Sequence, residues 1–404
     1  MGKDDITIGL YGIGGVYNYG CEAIIRGTEI ILHEILPGAN IKYASLRPID
    51  DKIRLKGCNI EIIPRKIHKF GLLAEHLNEL MASRTGFYYE RMFREDLNWI
   101  DDCDVIFSIG GDLYTLPPNY NDPKKRYTNN LINFGEFVKS RGKKFVVWGA
   151  SIGPFEGYPK AKKAFLDHLR KADLITSREP VTTRYLKNLG IENVIECSDP
   201  AFSIPNPDHI DKQGLNSKKL HIGINLSPLS SIYSIKLNMS DVIKRQADVI
   251  TSIIKSFDAQ ITLVPHVICD FYIDDDDLRY LKLIKSQIDA DVIDRVDLVE
   301  GDVGFLGTKR ILSTCDLVIA ARMHCAVSAV SVGVPTIFLA YSKKAYGMAE
   351  YVYGSDKWVI PLKDFEIQNI KKLMNKIINE DLGSFERLNY PESSFYKIVK
   401  STII

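Results

Sequence analysis

The chain has 404 residues, with 52 Lys+Arg against 51 Asp+Glu and a formal net charge of +1. Apolar residues make up 45% and charged residues 25%, which excludes a disordered or fibrous chain and, through its neutrality, a broadly basic nucleic-acid binder. At roughly 150 residues per domain, the length predicts two or three domains with substantial cores.

Short apolar runs alternate with amphipathic stretches along the chain, the pattern of βαβ units around parallel sheets. Met1 to Asp5 lead straight into the first run without the apolar core of a signal peptide. Strands are expected at Ile6–Tyr11, Ile41–Ser45, Val105–Ile109, Phe145–Trp148, Leu174–Thr176 and Val194–Glu196. Helices are expected between them at Cys21–Ile35, Leu72–Ile100, Tyr127–Ser140, Lys160–Lys171 and Pro180–Leu189. Pro200 to Lys219, rich in Pro, Asn, Asp and Lys, carries no periodicity and reads as a connection.

The same pattern then restarts. Strands are expected at His221–Asn225, Ile261–Val264, Val292–Ile293, Leu317–Ala320 and Thr336–Leu339, and helices at Val242–Phe257, Asp275–Ile288, Phe305–Ser313, His324–Val332 and Ala345–Tyr353. Two amphipathic helices close the chain. The expected fold class is α/β, with two Rossmann-type doubly wound domains facing a central cleft. The domains are drawn at residues 1–205 and 220–404, with 206–219 as linker.

The seven cysteines, Cys21, Cys58, Cys103, Cys197, Cys269, Cys315 and Cys325, are scattered and form no CxxC pair. They read as reduced thiols, not as a disulfide framework or a zinc site. The longest weakly polar run, Cys325 to Tyr341, is interrupted by Gly333 and Pro335, whereas a membrane span needs about 20 mostly apolar residues. The expected protein is cytoplasmic, with room for peripheral contact at the inner face of the membrane.

In doubly wound sheets ligands bind beyond the carboxyl ends of the strands, so the residues just after each strand carry the functional reading. After the first strand, Gly12 to Gly20 open a helix, and glycines such as Gly14 and Gly15 let backbone amides approach an anion there. A dinucleotide fingerprint would need glycine where Tyr17 stands and an acid near Ser45-Leu46-Arg47, so a nicotinamide cofactor does not fit. The bland alternative is an empty strand-to-helix turn.

Further along stand Gly110-Gly111-Asp112, Ser151 after the Phe145–Trp148 strand, and Ser177-Arg178-Glu179. Arg178 reads either as an ion-pair partner of Glu179 or Asp199 or as a fork for a carboxylate or phosphate. In the second half, Asn225, His266, Arg322-Met323-His324 and Lys344 occupy strand ends. Arg, His and Lys are not turn residues, and a cationic group at a helix N-terminus suits phosphate, so an anion site is expected there. His168, midway along a helix, reads as structural, and His266 stays open between the two readings. The acidic run Asp274–Asp277 lacks the glycine and closing glutamate of a calcium loop. It reads as the opening of a helix, and no metal is assigned.

The ordered set Asn18-Tyr19-Gly20, Gly110-Gly111, Gly149-Ala150-Ser151-Ile152-Gly153-Pro154, Ser177-Arg178-Glu179, Asp199-Pro200 and Arg322-Met323-His324, followed by Gly333-Val334-Pro335, Tyr341 and Lys344, resembles the polysaccharide pyruvyl transferase family. The resemblance covers roughly residues 6 to 350 and implies a GT-B-like fold. It also implies an activity: transfer of pyruvate from phosphoenolpyruvate, a co-substrate, to a sugar of an exopolysaccharide, a capsule or a lipid-linked precursor, closing a cyclic ketal. No cofactor is implied. By position, Arg178, Arg322, His324 and Lys344 match residues that hold phosphoenolpyruvate in the family, and Gly14, Gly15, Asn18, Ser151, His266 and Met323 complete the expected substrate contacts. His324 is the favoured proton donor and Asp112 the candidate base. Two departures stand out: Asp112 replaces the third glycine of a Gly-Gly-Gly turn, and an acid carried by some members is absent near Thr115-Leu116.

Two other classes were weighed. A glycosyltransferase using a nucleotide sugar shares the two-domain architecture and would use a late carboxylate such as Glu350 for the ribose. A non-catalytic scaffold would have lost Arg178, Arg322, His324 or Lys344, all of which are present.

Overall fold

The fold is that of a computed structural model, which describes residues 6–85, 95–116, 130–207, 219–379 and 393–404. Among these, the chain divides into two compact units: residues 6–16, 24–203 and 393–404 form the first, and 17–23 and 204–379 the second. Relative to boundaries at 1–205 and 220–404, residues 17–23 group with the second half and the last helix with the first. Most of the expected linker, 208–218, lies outside the described residues.

The first unit carries β1 (Thr7–Tyr11), α1 (Tyr19–Ile35), β2 (Asn40–Ser45), α2 (Pro48–Arg54), β3 (Glu61–Pro64), α3 (Lys69–Thr85), β4 (Val105–Ile109), α4 (Asn130–Ser140), β5 (Lys144–Ala150), α5 (Pro159–Leu169), β6 (Leu174–Ser177), α6 (Pro180–Asn188) and β7 (Val194–Glu196), with the opening turn of α1 counted in the second unit. The second contains β8 (His221–Asn225), α7 (Pro228–Ser234), α8 (Met239–Phe257), β9 (Gln260–Leu263), α9 (Asp277–Lys285), β10 (Val296–Leu298), α10 (Gly304–Leu312), β11 (Leu317–Ala320), α11 (Met323–Ser331), β12 (Thr336–Ala340), α12 (Lys343–Tyr353), β13 (Val359–Pro361) and α13 (Ile367–Asn379). The final helix, α14 (Ser393–Ile403), returns to the first unit, where the Lys144 ammonium donates to the Ile403 carbonyl at 3.1 Å.

Both sheets are parallel throughout, in the orders β3-β2-β1-β4-β5-β6-β7 and β10-β9-β8-β11-β12-β13. These are the doubly wound arrangements expected from the alternating pattern. The central strands β4 and β11 are buried at every residue, as a parallel sheet covered on both faces requires. Strand order reverses between β1 and β4, where Ile8 pairs with Val105, and between β8 and β11, where Ile224 pairs with Ile319. Those reversals open the crevices in which ligands of such sheets sit. Among the described residues no helix is long and apolar enough to cross a membrane.

Two expected elements differ, and the start of a third lies outside the described residues. The helix anticipated over Leu72–Ile100 ends at Thr85; residues 86–94 lie outside the described part, and Glu95 then forms an isolated bridge with Ile67. The buried Glu95 carboxylate is held there by the Arg65 guanidinium at 2.6 Å, which fixes this segment as extended chain. The start of the helix expected at Tyr127–Ser140 is likewise outside the described residues, and α4 begins at Asn130. Val292–Ile293 leads into a 3-10 turn, and the strand follows at Val296–Leu298, where Val296 pairs with Ile261. Two short outer strands, β3 and β13, carry too few residues to register as periodic runs.

Within the first unit α1 crosses its sheet closely. The Trp148 indole donates to the Thr28 hydroxyl at 3.0 Å, and Gly27 faces the Pro200 carbonyl so tightly that a Cβ would overlap it. Backbone cannot retreat as a flexible side chain can. Gly27→Ala is therefore expected to lower stability by about 1–3 kcal/mol, measured as an earlier urea unfolding midpoint.

Candidate active site

In the second unit the carboxyl ends of β8, β9 and β11 are joined by one buried carboxylate. Asp277, the first residue of α9, is fully buried, and its Oδ2 accepts from the backbone amides of His266 at 3.0 Å and Val267 at 3.2 Å. Its Oδ1 accepts from Arg322 Nη2 at 2.8 Å and Nε at 3.2 Å. Asp275 adds a second carboxylate to Nη2 at 2.6 Å. Asn225, at the end of β8, completes the join: its Oδ1 accepts from the Arg322 amide at 2.8 Å and its Nδ2 donates to the Val264 carbonyl at 2.9 Å.

This corrects one expectation. The acidic run does more than open a helix, because two of its four carboxylates grip Arg322. Part of the Arg322 fork is thereby engaged within the chain. Nε and Nη2 are taken by Asp275 and Asp277, while Nη1 makes no hydrogen bond among the described residues and 12% of the side chain is exposed. Burial opposes the cation, but Asp277 and Asp275 more than offset it and hold the guanidinium protonated. With two carboxylates against one cation, Arg322 offers a directed N–H rather than net charge.

His324 lies one turn away, in the opening of α11. Its ring rests on Gly20, where a Cβ would stand 2.9 Å from Cγ and closer still to Nδ1. Gly20 therefore belongs to the Asn18-Tyr19-Gly20 motif because a side chain there would displace the imidazole. Asn18 pairs with Val267 in an isolated bridge, and its Oδ1 accepts from the Gly20 amide at 2.9 Å. The Tyr19 amide donates to the His266 carbonyl at 3.0 Å, while the amides of Cys21 and Glu22 reach the Asn18 carbonyl. Every opening amide of α1 thus has an acceptor within the chain, and the anion reading of that helix terminus is not met.

The His266 ring is fully buried between Tyr19 and Phe305, and its Nε2 has no hydrogen-bond partner. Burial first, then the neighbouring His324 and Arg322 charges, push its pKa well below the ordinary 6.5 and keep it neutral. Tyr17, half-buried beside the cluster, has its pKa pushed up to about 12 by burial and by Asp275. Lys344 enters from the first turn of α12, after β12 and next to β11 in strand order; Met323 is the first residue of α11.

The first unit places its candidates separately. Arg178 is buried, its Nε donating to Ser151 Oγ at 2.9 Å and its Nη1 to Asp199 at 2.8 Å. The ion-pair reading with Asp199 is thus met. Glu179 instead caps α6 by accepting from the Thr182 amide at 2.9 Å. A Cβ on Gly111 would lie 2.7 Å from the Arg178 guanidinium carbon, so this glycine, too, yields space to a functional side chain. Asp112 follows it with an exposed side chain at the end of β4. Gly14 and Gly15 sit in the loop after β1, which is stapled to buried Asp51 through the Val16 amide at 2.9 Å.

Sequence reasoning missed Tyr17, Asp51, Asp275 and Asp277 as members of these networks. The sequence carried only a general signal for the acids: an arginine behind a strand needs a carboxylate if buried, but several acids lie nearer in sequence than Asp275 and Asp277. Among the described residues no group of three His, Cys, Asp or Glu side chains is arranged to hold a metal ion.

Two Rossmann-type units of parallel sheet place the chain in the GT-B fold class. The polysaccharide pyruvyl transferase family model matches residues 18–343, and the chain belongs to that family, a transferase family whose members move pyruvyl groups onto polysaccharide. No curated protein matches it in sequence. Among solved structures it is similar to UDP-GlcNAc 2-epimerase from Methanocaldococcus jannaschii, with a TM-score of 0.59 and 12% identity over 98% of this chain and 99% of that one. It is also similar to UDP-GlcNAc 2-epimerase from Neisseria meningitidis bound to UDP-GlcNAc, at 0.58 and 13% over 99% of each. A third, UDP-glucose: anthocyanidin 3-O-glucosyltransferase in complex with UDP, gives 0.55 and 9% over 100% of this chain and 99% of that one. Identities this low establish the GT-B fold alone.

Two outcomes follow from the Asp277 network. Asp277→Asn should destabilise the protein by about 3 kcal/mol, because it leaves a buried cation underpaired. The exposed Asp274→Asn in the same run should stay within about 0.5 kcal/mol of wild type in the same urea titration. Neutral His266 gives a second. Its folded pKa lies below 6.5, so the unfolded chain takes the proton first on acidification. Stability present above pH 6.5 should fall as pH drops below it, and His266→Gln should flatten that part of the stability–pH curve relative to wild type.

Proposed function

We propose that the chain transfers the pyruvyl group of phosphoenolpyruvate to two hydroxyls of one sugar in a polysaccharide or its lipid-linked precursor, closing a cyclic ketal. The observation that carries this reading is the second-unit cluster: Arg322, fixed on Asp275 and Asp277 with Nη1 uncommitted, beside His324 on Gly20. Phosphoenolpyruvate presents a phosphate and a carboxylate. A directed guanidinium N–H, the Lys344 ammonium one strand away and the opening turn of α11 suit those two anions.

The chemistry proceeds in balanced steps. His324 gives a proton to the methylene carbon of phosphoenolpyruvate, and C2 becomes oxocarbenium-like. The first sugar hydroxyl bonds to C2 and surrenders its proton to a general base. The second hydroxyl then bonds to C2 and gives its proton to the His324 imidazole, left basic by the first step; the C–O bond to phosphate breaks, and inorganic phosphate leaves with its electron pair. Arg322 Nη1 and Lys344 stabilise the departing charge. Buried neutral His266 keeps a further cation out of the cluster. The reaction needs no metal where cationic side chains neutralise the phosphate.

The test is phosphate release from phosphoenolpyruvate in the presence of a sugar acceptor and a chelator, with nucleotide sugars as the parallel donor. Turnover with nucleotide sugars alone would replace this reading by glycosyl transfer. His324→Gln is expected to melt close to wild type and to lower transfer by about 10²–10⁴. A loss confined to phosphoenolpyruvate affinity, with turnover at saturation intact, would make His324 a phosphate holder.

A further inference from the structure

Helix α3 turns its apolar side outward. Phe70 is 88% exposed, Leu73 58%, and Leu77 and Met81 53% each. Their spacing of three, four and four residues sets them on one helical stripe. Ile67, 43% exposed, extends the run ahead of the helix. The described residues that α3 buries are Gly71 and Asn78, seven apart and off that stripe. A soluble domain ordinarily does the reverse, so this face is built for a partner.

The charge at its ends says which kind. Lys66 and Lys69 flank the stripe at the N-terminal end and Arg84 at the C-terminal end, all exposed. A second copy of the helix laid on this stripe would oppose like charges in either direction. Parallel pairing sets Lys66 and Lys69 against their own copies, and antiparallel pairing sets them against Arg84, both unfavourable. An apolar stripe bordered by cations at both ends instead matches an anionic lipid surface, where side chains such as Phe and Leu enter the acyl boundary and Lys and Arg meet headgroups. We propose that the outward face of α3 docks the protein on an anionic membrane. The proposal is independent of donor and acceptor, because docking is read without turnover.

Flotation of the full chain with phosphatidylcholine vesicles, and with vesicles of phosphatidylcholine and phosphatidylglycerol, tests it. The protein is expected to float with the anionic vesicles and to be released as salt rises. Phe70→Ser with Leu77→Ser should weaken binding by at least about tenfold, since two anchors leave the acyl boundary. Lys66→Glu with Lys69→Glu should weaken binding to the anionic vesicles by about tenfold or more while leaving the apolar stripe untouched. All four side chains are exposed, so both variants should keep the wild-type melting temperature. Absence of flotation with anionic vesicles would overturn the proposal. So would a concentration-dependent dimer in sedimentation equilibrium that the Phe70–Leu77 variant abolishes, for the face would then belong to a second copy.

Discussion

The buried contact of Asp277 with Arg322 organises the second unit's carboxyl edge. A guanidinium and a carboxylate taken out of water repel the apolar surroundings unless each is fully engaged. Asp277 meets that demand by turning both oxygens toward Arg322 while Oδ2 also accepts from the amides of His266 and Val267. Three strand ends are thereby set relative to one another by charge rather than by loop stiffness. His324 takes its place from the same anchor, because it follows Arg322 by two residues, within the first turn of α11.

The first unit repeats the device. Arg178 follows β6 directly and is buried on Asp199, as Arg322 follows β11 and is buried on Asp277. In each unit a glycine from a distant motif gives up space nearby, Gly111 to the Arg178 guanidinium and Gly20 to the His324 ring. Those glycines are not there for backbone freedom. They mark where a large functional side chain approaches the chain closely, which is why they recur in motifs that are otherwise far apart.

The arrangement also sets how charge is distributed at the second unit's carboxyl edge. Arg322 is balanced by its own carboxylates, so it adds a directed N–H rather than net charge. Keeping His266 buried and neutral prevents the cluster from accumulating like charges around Arg322. The buried cations Arg178 and Arg322 are thus internally compensated.

Much was legible from the amino-acid order. Alternating apolar runs specified two parallel doubly wound sheets, since strands buried on both faces must read as continuous Val, Ile and Leu. Strand-end placement picked out Arg178, Arg322, His324 and Lys344, because only a few residue types are unsuited to turns. What the order of residues could not disclose is which partner each cation takes. Asp277 is 45 residues from Arg322 and Asp199 is 21 from Arg178; their pairing depends on strand order in the sheet, which local periodicity does not encode. The same holds for residues 17–23, which read locally as the start of α1 yet pack with the second unit through Tyr19 on His266 and Glu22 on Phe305. Element type is largely a local property of spacing and was mostly legible in the sequence; where it was not, at Glu95 and Val296–Leu298, pairing with distant chain decided it. Side-chain partnership is a property of the closed sheet, and only the tertiary structure could decide it.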